Sequence, residues 1–404
     1  MNKRIALIIG FYPLGTSSVL INLIEMLVRN NFYVDIYIDS FSMIIPFSHP
    51  SDKVNILIES RPFYIKLLNR LYYYFLKLFQ KNNILIKIKN ASINYFHFSI
   101  WTNNIIKRKP TYNIILFANF SSIYVSSSIK KQPETSIYYN LEILDNEMAG
   151  ETHWNEIREI ERIHLKYMDW VFATSQKRGE CFQKLTDFPS DRIRILPVLS
   201  ISGDKPQPSD YFYKKFNISK IKKIIIITGS ISKRLLQLEI INTVKYWPKD
   251  IVLVIHTWRE GTFNNGYGLL LKEAANGLPV FFSTESLDYN DIISAIASAY
   301  IGLAFYDDFD TNMKEILLSS NKIIEYLRCG IPVITSYNFD LYTFFKNNKC
   351  GLSVNPNDIP NAINTISNDY MTYKNASIIT SNNNFSFEKY FYNAFNGINN
   401  INFN

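Results

Sequence analysis

Residues Lys223 to Thr228 read KIIIIT, a β-branched run without polar alternation, and such a run reads as a strand buried on both faces. Arg4 to Gly10 (RIALIIG) is of the same kind. It leads into a loop from Phe11 to Thr16, a helix from Ser17 to Arg29 with Leu20, Leu23, Ile24 and Leu27 on one face, and a strand from Val34 to Ile38. Strand, helix and strand at this spacing form a βαβ opening, which predicts a parallel α/β sheet. The pattern starts twice. At 404 residues the chain exceeds what one hydrophobic core supports, so two domains of about 200 residues are expected. The stretch Pro197 to Lys220 turns to Pro, Ser, Gly and Asp and reads as the linker. The expected division is residues 1–200, residues 201–380 and a terminal segment over 381–404.

Further strands are expected at Tyr112 to Ala118, Ser136 to Glu142, Trp170 to Thr174 and Ile193 to Pro197 in the first half. In the second half they are Ile251 to His256, Val280 to Ser283, Ile301 to Phe305, Val333 to Thr335 and Gly351 to Val354. Helices are expected over Glu156 to Met168, after the cap Ser175, over Asp288 to Ala299, near Tyr342 to Asn347, from Asp358 as the close of the second domain, and over Phe385 to Phe395.

Composition narrows the function classes. Cys181, Cys329 and Cys350 are odd in number and lack metal-ligand spacing, so a reduced, cytoplasmic setting is expected and no metal site is indicated. No apolar run is long enough to predict a membrane-spanning helix. The net charge of +8 is unevenly spread, since residues 61–131 hold twelve Lys or Arg and no Asp or Glu. Within it, residues 62–81 predict a helix with Lys66, Arg70, Lys77 and Lys81 in one stripe and Leu67, Leu71, Phe75 and Leu78 elsewhere. That suits an anionic membrane surface, a peripheral association, and equally a helix packed on the sheet. No nucleic-acid-binding motif accompanies it, and nucleic acid is not expected as a partner.

The chemistry concentrates in Ser319 to Thr335, SSNKIIEYLRCGIPVIT. Ser319, Ser320 and Asn321 are expected to leave backbone N–H groups open at the start of a helix beginning near Lys322, an end that attracts phosphate. Lys322 places a cation where the helix dipole disfavours one, so a bound anion is its natural compensation. Glu325, one turn on, can accept two hydroxyl hydrogen bonds, as a ribose offers. Gly330 and Pro332 end the helix. An amphipathic helix with Lys and Glu on a solvated face is the alternative.

Gly229 and Ser230 follow the strand Lys223 to Thr228, with Lys233 and Arg234 just beyond: strand, glycine turn and cationic helix start, where a phosphate could sit. His256, at the carboxyl end of its strand, is a candidate donor-site contact, the alternative being a structural hydrogen-bonding group, and Tyr306 and Asp307 lie in the loop before the Ser319 stretch. In the first half, Asn140 and Glu142 are placed at a strand's carboxyl end, where open α/β sheets bind ligands. Gly15 and Thr16 sit in the first loop, which does not match the dinucleotide fingerprint.

The Ser319 stretch resembles the donor-site helix of GT-B fold glycosyltransferases, particularly the family 4 type with its NKxxEYLxxGxPVI-like pattern. ERIHLKYMDWVFATSQKRGE (Glu161 to Glu180) resembles the last helix-strand-helix unit of their N-terminal domain. The resemblance implies two Rossmann-like domains facing across a cleft, the first on the acceptor side, the second binding the nucleotide sugar, and a terminal helix crossing back. It implies Asn321 and Lys322 at the diphosphate and Glu325 at the ribose, with Gly229 and the basic residues after it also at the diphosphate. Ser175, Gly15 and Thr16 would face the cleft, with Tyr306 and Asp307 reaching the donor sugar. Lys322, Glu142 and Asp307 are the candidate catalytic residues.

Family 4 enzymes usually carry a second Glu eight positions before the ribose Glu. That position here is Leu317, leaving Glu315 or Asp310 to substitute or the sugar to be held differently. The implied activity moves a hexose-type sugar, from a UDP-sugar by base rate, to a glycan, lipid-linked or protein-linked acceptor, with retention and without metal or other cofactor. A sugar-nucleotide epimerase and a catalytically silent partner subunit are the rival readings. Oligomeric state is open.

Overall fold

In the computed structural model the described residues are 3–10, 14–39, 47–59, 97–129, 133–144, 152–201 and 206–398. The basic helix read at residues 62–81 and residues 11–13 of the loop Phe11 to Thr16 lie outside them. Contacts divide the chain into two compact units, Met1–Pro197 with Glu388–Asn404, and Val198–Phe387.

The first unit is built on β1 (Arg4–Gly10), β2 (Tyr33–Asp39), β3 (Val54–Glu59), β4 (Ile114–Ala118), β5 (Thr135–Asn140), β6 (Trp170–Ala173) and β7 (Ile193–Ile195). These run in the order β3-β2-β1-β4-β5-β6-β7, with every pairing parallel. Ile5 through Ile9 of β1 are fully buried, as a central strand covered on both faces requires. The edge strands are less buried, β7 being only partly covered throughout. Strand β3, on the opposite edge, is mostly half-buried or exposed and leaves Ile58 47% exposed, so it lacks the fully buried apolar run that marks the inner strands. The terminal helix Phe387–Phe395 places Phe395 on Phe172 of β6, ring centroids 5.1 Å apart.

The second unit repeats the plan with β8 (Lys223–Thr228), β9 (Ile251–His256), β10 (Val280–Ser283), β11 (Ile301–Ala304), β12 (Val333–Ser336) and β13 (Gly351–Val354). They are ordered β10-β9-β8-β11-β12-β13, again all parallel. In each sheet the strand order reverses beside the first strand, between β1 and β4 and between β8 and β11. Such a switch point opens a crevice at the carboxyl ends of the strands.

Two expectations are corrected. The helix from Asp358 (Ile359–Asn368) does not close the second unit, because Tyr370–Asn384 follows. Its buried face is Ser377, Thr380 and Ser381, small polar residues that give no hydrophobic periodicity to read. Strand β5 ends at Asn140, leaving Glu142 exposed beyond it.

The helix Asn321–Arg328 buries Ile323, Ile324, Tyr326 and Leu327, and Tyr326 adds hydrogen bonds to the sheet. Tyr326 is fully buried across β11, where Gly302 leaves room for its ring, and its hydroxyl accepts from Thr228 N at 3.0 Å and bonds Thr228 Oγ1 at 3.0 Å. A Cβ at position 302 would stand 2.2 Å from the ring. Gly302→Ala is therefore expected to cost about 3 kcal/mol or more, read as a lowered urea midpoint with unchanged slope.

Candidate functional site

The switch point of the second sheet brings together the turn after β8 and the start of the helix Asn321–Arg328. Gly229 has φ +99, a left-handed backbone that a side chain disfavours, and its N–H donates to His256 O at 3.0 Å. A Cβ there would lie 3.1 Å from Lys322 Cε, so the lysine runs directly across the turn. Gln237, fully buried, holds the turn from behind: it donates to Ser230 O at 2.9 Å and accepts from Ser232 N at 3.3 Å. The backbone N–H groups of Ser230 and Ile231 have no partner among the described residues. Open amides beside an ammonium form an anion-binding concavity.

The helix start is more engaged than its sequence suggests. Ser319 N donates to Ile316 O at 2.9 Å, and Ser320 caps the helix by accepting from Ile323 N at 3.5 Å. Tyr306, buried beneath, hydrogen-bonds Ser320 Oγ. The expectation of open amides is thus corrected for Ser319, because the cap turn folds back on itself; the N–H of Lys322 has no partner among the described residues. Lys322 Nζ sits over the Tyr306 ring, 5.2 Å from its centroid, an attractive cation–π placement.

Lys322 and Glu325 keep some accessible surface but are enclosed by protein. Loss of solvent lowers the Lys322 ammonium to about 8, with Glu325 pulling the other way. The same desolvation raises the Glu325 carboxyl to about 8, against the pull of Arg328 and Lys322. Both groups are therefore held in an environment that disfavours their charged forms.

Arg234 braces the site from the side. Its guanidinium pairs with Asp310 and lies over Phe309, 4.3 Å from the ring centroid, while its carbonyl accepts from Asp307 N at 2.8 Å. Asp310, 1% exposed, also caps a helical turn by accepting from Met313 N at 2.9 Å. Both its oxygens are committed to these partners, which corrects its reading as a substitute for the carboxylate missing at Leu317. Asp307 is partly exposed, its Oδ1 accepting from Phe309 N at 3.3 Å, and desolvation raises its carboxyl. Lys233 is exposed. His256 is buried, with Nδ1 2.9 Å from Ser283 Oγ and its ring on Phe212, and burial lowers its pKa to about 4. It stays neutral and ties the ends of β9 and β10.

At the switch point of the first sheet the same device recurs. Gly10, at the end of β1 with φ +63, is approached by Ser121 O and Oγ, each 3.2 Å from where a Cβ would be. The sequence reading selected Gly15 and Thr16 instead; both lie in a short 3-10 turn, Leu14–Thr16. A single glycine ending an apolar strand was the signal available, the one used for Gly229. Asn140 is buried, donating to Glu161 Oε1 at 3.1 Å and to the Tyr138 hydroxyl at 3.3 Å. Tyr138 also donates to Glu161, whose carboxyl burial raises to about 7. Ser175 caps the helix Gln176–Thr186, accepting from Arg178 N at 3.2 Å. The candidates of the first unit thus already have internal partners at Asn140 and Ser175.

Two parallel sheets of these strand orders, each with a glycine turn at its switch point, define a GT-B fold. Solved structures with this fold match nearly the whole chain. WaaG, a glycosyltransferase involved in lipopolysaccharide biosynthesis, is 13% identical with a TM-score of 0.63, over 95% of this chain and 97% of its own. Sucrose-phosphate synthase from Thermosynechococcus elongatus is 16% identical with a TM-score of 0.65, over 96% of each chain. Anabaena HepE in complex with UDP is 12% identical with a TM-score of 0.65, over 96% of this chain and 97% of its own. No protein family and no curated protein matches the chain by sequence. Among the described residues no helix is long and apolar enough to cross a membrane, and no group of His, Cys, Asp and Glu is placed to hold a metal ion.

Glu325 makes stability depend on pH. The unfolded chain releases this proton near the usual 4.5, whereas the folded chain keeps it to about 8, so stability falls as pH rises through that window. Glu325→Gln removes the effect. Its melting temperature minus that of wild type is expected to grow steadily from pH 5 to pH 8 and then level off.

Proposed function

We propose that the chain is a glycosyltransferase that moves a hexose-type sugar from a nucleotide diphosphate donor, UDP-linked, to a glycan, lipid-linked or protein-linked acceptor. The observation that carries this reading is the approach of Lys322 to the Gly229 turn. Lys322 runs across the turn that carries the open amides of Ser230 and Ile231, with Glu325 one helical turn away. A nucleoside diphosphate has the matching chemistry: two phosphates for the amides and cation, and vicinal ribose hydroxyls for a carboxyl group. WaaG supports transfer, and HepE, solved with UDP, supports the choice of nucleotide.

The mechanism follows from where charge develops. As the bond from the sugar to the diphosphate breaks, negative charge builds on the leaving phosphate, and fixed donors there stabilise the transition state more than the bound substrate. Lys322 fits this role because desolvation disfavours its isolated charge. A leaving diphosphate supplies the missing counter-charge. Protein cations and amides thereby do what a metal does in other transferases, and the reading extends to metal-independent transfer with retention. Asp307 is the partly exposed carboxyl proposed to reach the donor sugar, and Glu142 the one proposed for the acceptor side.

Thermal unfolding with UDP, GDP, ADP and CMP tests the donor. UDP at a hundred times its dissociation constant is expected to add about 2.7 kcal/mol of stability, and Glu325→Ala to lose most of the shift. If no nucleotide stabilises the folded wild type, the silent-partner reading replaces this one. A second check is protonic. Since Lys322 titrates near 8 when free, UDP should draw a proton onto it at pH 8.5. Calorimetry in buffers of different ionisation enthalpy should register that uptake in wild type and lose it in Lys322→Met.

A further inference from the structure

Beside the Gly229 turn, on the β9 side, the second unit forms an open cavity of about 510 Å³ that shares Ser230 and Ile231 with the donor turn and otherwise lies beyond it. Its walls include Ser230, Thr257, Trp258, Arg259, Thr262 and Tyr267. The volume lies within the range of about 300–1,000 Å³ common to small-molecule sites. Two aromatic rings stand among hydroxyl, amide and charged groups. Arg259 is adjacent to Glu260, also in the wall, so the opposed charges favour a neutral ligand over a second phosphate.

The walls are held in place. Tyr267 accepts from Leu238 N at 3.2 Å through its hydroxyl, fixing the ring. Thr262 donates to Arg259 O at 2.6 Å, closing the loop, and Gly261 turns it with φ +72. Thr262 O lies only 2.0 Å from where a Cβ of Gly268 would be, so the loop rests directly on the helix Gly266–Ala274. Asn265 precedes that helix without a side-chain capping bond, leaving its amide available to the cavity it lines.

A neutral ligand with an apolar face and a rim of hydroxyls matches these walls, and a sugar ring has that form: its C–H face stacks on an aromatic ring while its hydroxyls meet polar side chains. We propose that this cavity is a saccharide subsite that takes a sugar of the acceptor, next to the diphosphate turn through Ser230. The acceptor assignment rests on the transferase reading; the saccharide site itself rests on the cavity.

The test is saturation-transfer NMR on the full chain with the methyl glycosides of glucose, galactose, mannose and N-acetylglucosamine, each with and without saturating UDP-glucose. At least one glycoside is expected to bind wild type and to persist with UDP-glucose present. Trp258→Ala is expected to weaken it about fivefold, the loss of one aromatic contact, and Asn265→Ala to weaken it as well, while UDP binding in both variants stays at the wild-type level. Displacement by UDP-glucose would assign the cavity to the donor's own sugar and overturn the acceptor claim. No glycoside signal on wild type, or a signal unchanged in both variants, would overturn the site. Failure of UDP to bind wild type would count against the transferase reading instead, with the glycoside arms still deciding the cavity.

Discussion

The second unit depends on the placement of Tyr326. Its ring lies over Gly302, where a side chain would leave no room, and its hydroxyl bonds the backbone and side chain of Thr228 at the end of β8. A buried phenol must find a hydrogen-bond partner, and Thr228 sits one residue before the Gly229 turn. The requirement that satisfies Tyr326 therefore sets the position of the helix Asn321–Arg328 against that turn. Lys322, four residues earlier and so on the same helical face, is carried to Gly229. Packing and chemistry share a single constraint.

That constraint leaves the site electrostatically incomplete. Lys322 and Glu325 are both enclosed where their charged forms are disfavoured, and neither gains enough from the other to offset lost solvation. A cation over an aromatic ring and beside open amides is held ready for an anion. The surrounding braces are, by contrast, complete: Gln237 serves both Ser230 and Ser232, and Asp310 serves both Arg234 and Met313 N.

The two units share this logic without sharing sequence. Gly10 and Gly229 each end the first strand of a parallel sheet with positive φ, and each is approached closely by a residue from across the switch point, Ser121 in one and Lys322 in the other. A backbone that must pass this close has no room for a side chain. Among the described residues, it is the second unit that puts a cation there. Its pairing of turn and ammonium is the basis for proposing the donor site in residues 198–387 rather than in the first unit.

The sequence alone determined what local patterns can encode. Buried parallel strands show as β-branched runs, the helix Asn321–Arg328 as an amphipathic stretch ended by glycine and proline, and Gly229 with Lys322 as turn and cation beside their elements. It could not show the edge strand β3, whose half-wet burial breaks the run, nor Tyr370–Asn384, whose packed face is Ser and Thr. The tertiary structure decided which side chains were already spent. Asp310 is drawn into an ion pair with Arg234, Asn140 into a buried cluster with Glu161, and His256 into a bond with Ser283. It also supplied Gln237, Gly10 and the Trp258 cavity. The physical reason is the same throughout: propensity and periodicity act over a few residues, whereas the pairing of a polar group is settled by segments tens of residues apart that meet only when the sheet is formed.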